Sequence, residues 1–393
     1  MTRTSREIGI ALVLLIGLPL VGVWLAGKPV GQYLEFPPHT IYVQHEPFSW
    51  PVFITFAILI LLSVGPIVLR LLSALSRSTI LTSRQTSPVH EHVALKSRWS
   101  ILPWWGWIGI GWTCSWWVLA WTRFSWMTSL QEHTFTPLWL GYIVIVNALT
   151  FARTGHCLLL HRPKYFLSLF PLSAAFWWFF EYLNRFVQNW YYVGVTELSA
   201  MEYVLRATVS FSTVLPAVIS TAELLTSVPF LSMTLERMRP IRLHDGRFLS
   251  CALLVLSCGS LLTIGIWPNY LFPLVWVAPL LVIVTLQALN GRPTIVAPLI
   301  HGDWRGIWLP AFAALICGLF WELWNFRSLA HWEYALPFVY QLRLFEMPLL
   351  GYAGYLPFGL ECLVVADFCL ERKFSGGLDY YRTHAYVNAH RVS

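Results

Sequence analysis

The chain has 393 residues, of which 57% are hydrophobic and only 11% charged, with a mean hydropathy of +0.60. A soluble domain of this size cannot cover its surface with so few charges, so the composition excludes a water-soluble globular protein and assigns a polytopic membrane protein. The net charge of +7 follows from where the basic residues fall between apolar runs, and no nucleic-acid partner is inferred from it.

Arg3 and Arg6 precede an apolar run at residues 8–26. It is longer than the hydrophobic part of a signal peptide and lacks a small-residue cleavage site, which predicts a retained first helix. Pro37, Pro38, His39 and His45 follow in a polar stretch too rich in proline for a helix. A second span at residues 51–75 and a basic, Ser/Thr-rich linker at 76–100 complete an N-terminal two-helix unit, residues 1–100.

Residues 101–230 offer four apolar runs, at 101–121, 137–151, 167–185 and 204–228, and residues 231–393 offer four more, at 249–267, 273–289, 308–326 and 344–370, before a polar tail. Each run suits an ordinary or tilted membrane span at 1.5 Å rise per residue. The two sets share motifs in the same order. Glu181-x-x-Asn184, Trp190-x-Tyr192, Tyr203-x-Leu-Arg206, Pro216 and Glu223 in the first correspond to Glu322-x-x-Asn325, Trp332-x-Tyr334, Tyr340-x-Leu-Arg343, Pro357 and Glu361 in the second. Glu181 to Pro216 and Glu322 to Pro357 are both 35 positions. The second helices match as well, Phe135-Thr-Pro137-Leu-Trp139 against Phe272-Pro273-Leu-Val-Trp276. This is the signature of an internal duplication. Four helices is an even number, so the repeats enter the membrane the same way and are parallel. The fold class read from sequence is all-α, a transmembrane bundle of about ten helices built as two helices plus two parallel four-helix repeats.

With the N-terminus in the cytoplasm, only Lys28, Arg123, Arg185, Arg206, Arg327 and Arg343 fall on the outer side, and the other 20 of the 26 basic residues fall inside. The positive-inside rule thus predicts a multi-pass protein of a bacterial inner membrane with both termini cytoplasmic.

Acids, amides and arginines are costly in hydrocarbon, so a repeat that keeps them invites a functional reading. Glu181 with Asn184, and Glu322 with Asn325, share one helical face each near the outer ends of their helices. Arg206 and Arg343 begin the following helices at similar depth and are the nearest counter-charges. Two readings stand at this point: Glu–Arg clamps holding each hairpin, or two half-sites facing one another across the pseudo-twofold axis in one shared cavity, where a carboxyl can take or give a proton. Gly351, Gly354 and Pro357 predict a loosened last helix, or close helix packing. The 22 Trp residues suit an interfacial belt or packing, while those in mid-span can wall a cavity for a flat apolar ligand or stabilise a cation. Trp190, Tyr192, Trp321, Trp324, Trp332 and Tyr334 are the candidate ligand-binding aromatics. The seven cysteines form no Cys-x-x-Cys pair, and neither a disulfide framework, a metal site nor a cofactor is predicted.

Trp332-x-Tyr334-x-x-Pro337 followed by Leu356-Pro357 and Glu361, in a duplicated helical protein, resembles the lycopene cyclase domains, small paired membrane domains that protonate a polyene and close a ring through a carbocation. The resemblance covers about forty residues of each copy and implies that Glu361, with Glu223 in the first copy, acts as acid; the family's Pro-x-Glu-Glu is here a single glutamate four residues after the proline. The Trp321-Glu322-x-x-Asn325 and Glu346-Met347-Pro348 segments are also similar to those of other bacterial polytopic proteins. The expected function is the handling of a long apolar ligand, a membrane lipid or isoprenoid, with Glu181, Glu223, Glu322 and Glu361 as candidate acids; a secondary transporter and a non-catalytic membrane subunit are the alternatives. The topology has its own test: a reporter active only in the periplasm, fused after Ser393, is expected to be silent, and a strong signal would reverse the orientation.

Overall fold

The computed structural model describes residues 3–84, 101–194, 198–241 and 246–370. Part of the basic linker (85–100) and the polar tail (371–393) lie outside the described residues. The described chain is helical, with a few short strands. Eight of its helices are long and apolar enough to cross a membrane, or nine if the bent pair Pro268–Trp276 and Ala278–Leu289 is one span. The remaining predicted span forms the 18-residue helix Trp104–Trp121. Seven of its residues are Trp, whose indole N–H makes it less apolar than Leu or Val, so this helix falls outside the eight.

In chain order the principal helices are α1 (Arg3–Leu25), α2 (Trp50–Arg84), α3 (Trp104–Trp121), α4 (Phe135–Thr154), α5 (Pro163–Val187), α6 (Ala200–Phe211), α7 (Val214–Thr226), α8 (Gly246–Thr263), α9 (Ala278–Leu289), α10 (Arg305–Asn325) and α11 (Tyr355–Leu370). Helix α3 packs on α4, and α8 on α9; α5 packs on α7, and α10 on α11. Helix α10 also lies along α7, which joins the two halves, and α1 lies along α8. Leu12, Val13, Leu61, Leu62, Trp104, Trp107, Val255 and Leu256 are exposed, as the outer wall of a bundle bathed in lipid requires.

Three of the predicted runs are interrupted. The run at 204–228 is two helices, α6 and α7, with Ser212 and Thr213 between them. The run at 273–289 is a short 3-10 turn, Phe272–Trp276, then α9 after a 52° bend. The last helix begins only at Tyr355, after a 3-10 turn at Leu349–Gly354. In each case a proline, Pro216, Pro279 or Pro357, stands within three residues of the new start. Proline lacks the N–H and is tolerated only in a first turn, so it fixes where the helix restarts. The freed backbone groups find side chains from neighbouring helices, as an apolar setting demands. Ser173 Oγ donates to Phe211 O and accepts from Leu215 N (3.0 Å) at one break, and Glu361 Oε1 accepts from Leu280 N (3.0 Å) at another.

One end of the bundle gathers the loops that follow α1, α3, α5 and α10. There Lys28 Nζ donates to Gly265 O (2.7 Å), Arg123 Nη2 to Arg327 O (2.8 Å), and the Gln188 side chain accepts from Tyr42 N (2.9 Å) and Val43 N (2.8 Å). His45 is tied to Gln188 O at the same end, and its burial lowers its pKa. At the other end Arg292 pairs with Glu7 (2.8 Å), and Met238 N donates to Gly302 O.

A close backbone contact between helices is a stability test. A Cβ on Gly359 would stand 2.1 Å from Pro310 O, so α11 and α10 touch backbone to backbone there. Gly359→Leu is expected to cost about 1–3 kcal/mol or more by overpacking and to lower the melting temperature of detergent-purified protein. Gly65→Leu in α2, where nothing lies within 4 Å, is the control, and equal melting of the two variants would refute this contact.

Candidate functional site

Glu181 and Asn184 lie in the last turns of α5, and Glu322 and Asn325 in the last turns of α10. Each asparagine closes its helix onto the strand that follows. Asn184 Nδ2 donates to Trp190 O (2.7 Å) and its Oδ1 accepts from Asn189 N (2.8 Å). Asn325 Nδ2 donates to Trp332 O (2.7 Å) and its Oδ1 accepts from Trp332 N (2.8 Å). The strands so fastened, β1 (Trp190–Val193) and β2 (His331–Tyr334), pair antiparallel, with Trp190 opposite Tyr334 and Tyr192 opposite Trp332. The two Trp-x-Tyr motifs therefore meet across one ribbon, each indole against the other motif's phenol.

The side chains of that ribbon reach back to the glutamates. Glu181 Oε1 accepts from Trp177 Nε1 (3.0 Å), Trp190 Nε1 (3.0 Å) and Tyr192 OH (2.6 Å). Glu322 Oε1 accepts from Tyr334 OH (2.6 Å) and Tyr355 OH (2.7 Å), and Trp332 Nε1 donates to Tyr334 OH (2.8 Å). Glu322 is 0% exposed and Glu181 8%. Burial holds the Tyr192 and Tyr334 phenols well above the ordinary tyrosine range, so both stay protonated donors. On the rim of the ribbon Tyr191 OH donates to Glu333 Oε2 (2.6 Å). That bond, with burial, pushes the phenol up to about 12, and the same bond holds the Glu333 carboxyl below its ordinary value against the opposing effect of burial.

The two donor sets are not copies. Four residues before the glutamate stands Trp177 in one half and Gly318 in the other; two residues before the matched proline stands Val214 in one and Tyr355 in the other. A Cβ on Gly318 would lie 2.4 Å from the Tyr355 ring. A large donor on the glutamate's own helix is thus exchanged for a large donor on the next helix, and the glycine supplies the room.

Between these walls lies a cavity of about 170 Å³. Trp177, Trp190, Tyr192, Phe211 and Val214 from one half line it, and Trp276, Trp321, Trp332, Tyr334 and Tyr355 from the other; Glu132, Arg206 and His331 also line it. The carboxylates of Glu181 and Glu322 and the amides of Asn184 and Asn325 are not in its lining: they stand behind it, each holding aromatic groups that are. The expected counter-charges are elsewhere. Arg206 pairs with Glu132, and Arg343, in a two-residue strand with Leu344 and not at a helix start, donates to Tyr340 O (3.1 Å). Phenol and indole donors hold the acids in place of guanidinium, so the Glu–Arg clamp is not the arrangement adopted. Trp324 is not in the lining; it packs with Trp117, Trp139 and Tyr142, and Trp139 in turn touches Trp321 of the wall.

Glu223 and Glu361 are apart from this cavity. Glu223 Oε2 accepts from Leu158 N (3.0 Å), and Glu361 serves the helix break described above. The lining residues Phe211, Val214 and Tyr355 have no motif of their own in the sequence; the position of Tyr355, two before Pro357, is the only signal that could have found it.

No protein-family model, curated protein or solved structure matches the chain. The donor arrangement can be tested directly. Glu322→Leu leaves two buried phenols without an acceptor and is expected to destabilise by about 1–3 kcal/mol for each. Glu322→Gln keeps an acceptor oxygen and should cost clearly less. Equal melting temperatures for the two variants would mean that the phenols do not depend on this side chain.

Proposed function

We propose that this chain binds a long apolar ligand, a lipid or isoprenoid, with one end of the molecule in the aromatic cavity. The observation that carries the reading is the cavity wall: five indoles, Trp177, Trp190, Trp276, Trp321 and Trp332, with three phenols whose hydroxyls are held by buried carboxylates. A cavity of about 150 Å³ accepts a molecule the size of benzene, so 170 Å³ admits about one ring or one terminal unit of a chain. The rest of a long ligand must leave past Arg206 and Glu132.

Such a site suits cyclase-like chemistry. With Glu322 protonated, Tyr355 passes its hydroxyl proton to a terminal double bond and takes the carboxyl proton in return. The cation that forms faces indole rings, each contact worth about 0.5–2 kcal/mol. Attack by a second double bond of the same chain closes the ring, and loss of a proton back to the Tyr355–Glu322 pair yields an isomer of the starting material. In this reading the duplicated halves are two parallel four-helix repeats after a two-helix unit, ten spans in all, in a bacterial inner membrane with both termini cytoplasmic. The matched neighbours support it, since α3 packs on α4 as α8 packs on α9.

A transporter is the second reading, favoured by the bend before α9 and by Glu361 there, whose Oε2 finds no donor among the described residues. Proton-coupled uptake into vesicles that is lost in Glu361→Gln would select it.

The test of the first reading is solvent extraction of the purified protein followed by mass spectrometry. The wild type is expected to carry a defined apolar molecule, and Ala207→Trp, which fills the cavity from α6, to carry none. Tyr355→Phe should still carry it, and any conversion of the bound molecule should fall about 10²–10⁴-fold without the hydroxyl proton. If wild type and Ala207→Trp carry the same lipids in the same amounts, the cavity is not the binding site.

A further inference from the structure

A second cavity, of about 200 Å³, lies behind the first. Trp190, Trp276, Tyr334, Met347 and Tyr355 line both, so one wall of aromatic rings has a cavity on each side. The far side is closed by Phe56 and Ile60 of α2 and by Phe272 and Leu350. Among the described residues, no lysine, arginine, histidine, aspartate or glutamate lines it. Its phenols are committed, Tyr334 and Tyr355 both donating to Glu322, and the Trp190 N–H is committed to Glu181.

Two lining groups are not committed among the described residues: the Trp276 N–H, which is a donor, and a side-chain oxygen of Asn189. Asn189 is 1% exposed, and its Oδ1 has no donor among the described residues. Its backbone is fully used: N donates to Asn184 Oδ1 (2.8 Å) and O accepts from Ala335 N (2.8 Å). Its Nδ2 faces Phe272 O at 3.4 Å, which fixes the orientation of the amide, because the reverse would set two acceptors against each other. What remains is a buried acceptor oxygen on a residue of a largely apolar lining, and such oxygens in native proteins are satisfied by some donor.

We infer that this second cavity is a binding site for a neutral, hydroxyl-bearing apolar molecule, whose hydroxyl donates to Asn189 Oδ1 while its hydrocarbon lies against Phe56, Ile60 and Leu350. An anionic headgroup finds no cation in this lining and an ammonium finds no carboxylate, so a neutral alcohol is the class that fits. A branched alcohol of about ten heavy atoms matches the volume, given that about 150 Å³ accepts benzene. The site does not depend on occupation of the first cavity.

The experiment is equilibrium binding of tritiated geraniol to the detergent-purified full chain, with unlabelled geraniol and geranyl methyl ether as competitors. The ether keeps the chain and lacks the donor. Geraniol is expected to compete at least tenfold better than the ether. Asn189→Leu should remove that difference, and Leu350→Trp should abolish binding by filling the cavity. Ala207→Trp, which blocks only the first cavity, should leave the difference intact even if the first cavity proves to bind nothing. Equal potency of alcohol and ether on the wild type, absence of saturable geraniol binding, or loss of the discrimination in Ala207→Trp would each overturn the assignment.

Discussion

A carboxylate buried at membrane depth must be given hydrogen-bond donors by the protein itself, since hydrocarbon supplies none. Here that requirement falls on Glu181 and Glu322, and it is met by phenol and indole groups, with no guanidinium of the described residues in contact. Three of the donors, Trp190, Tyr192 and Tyr334, sit on the short strands after the helices, so each strand must fold back over its own helix end. The asparagine one turn further on fixes that return by closing on the strand backbone. With both strands so placed, their edges meet and pair, and the ribbon draws the two halves together. The cavity is the space left on the inner side of that ribbon.

The same arrangement gives the rings two duties. The polar atoms of Trp190, Tyr334 and Tyr355 face the buried carboxyl groups and their rings line cavities, so the wall is largely apolar to a ligand yet anchored by hydrogen bonds behind it. Rings held in this way cannot rotate to fill the space without breaking a buried hydrogen bond. That is a physical reason for two cavities to persist on either side of Trp190, Tyr334 and Tyr355. The glycines contribute by omission: Gly318 yields to Tyr355, and a Cβ on Gly354 would press on Trp276 at 3.3 Å.

Much of the framework was legible in the sequence. The apolar runs marked the helices, because a membrane span needs length and little else, and the twice-written Glu-x-x-Asn and Trp-x-Tyr motifs marked residues that the fold brings together. The helix breaks were legible only at Pro357, where Gly351 and Gly354 announced one; Pro216 and Pro279 lie in runs apolar enough to be taken as continuous. The partners of the acids were misjudged because Arg206 and Arg343 match in register between the two halves, whereas contact depends on where the intervening segments lead them. Arg206 met Glu132, from a loop that carries no matched motif, and Arg343 fell outside a helix altogether. Tyr355 and Trp177 were not recognised as partners of the acids for the opposite reason: they replace each other between the halves, so a search for what the halves share passes over both.

The central claim is that the carboxylates of Glu181 and Glu322 are held by aromatic donors that wall a ligand-binding cavity. The most direct measurement is a high-resolution density map of the protein in lipid nanodiscs. The account predicts the Tyr334 and Tyr355 hydroxyls on Glu322, Tyr192 on Glu181, and continuous non-protein density between Trp177, Trp276 and Tyr355. A map with Arg206 on Glu181, or with the space between those rings closed by their own side chains, would contradict it.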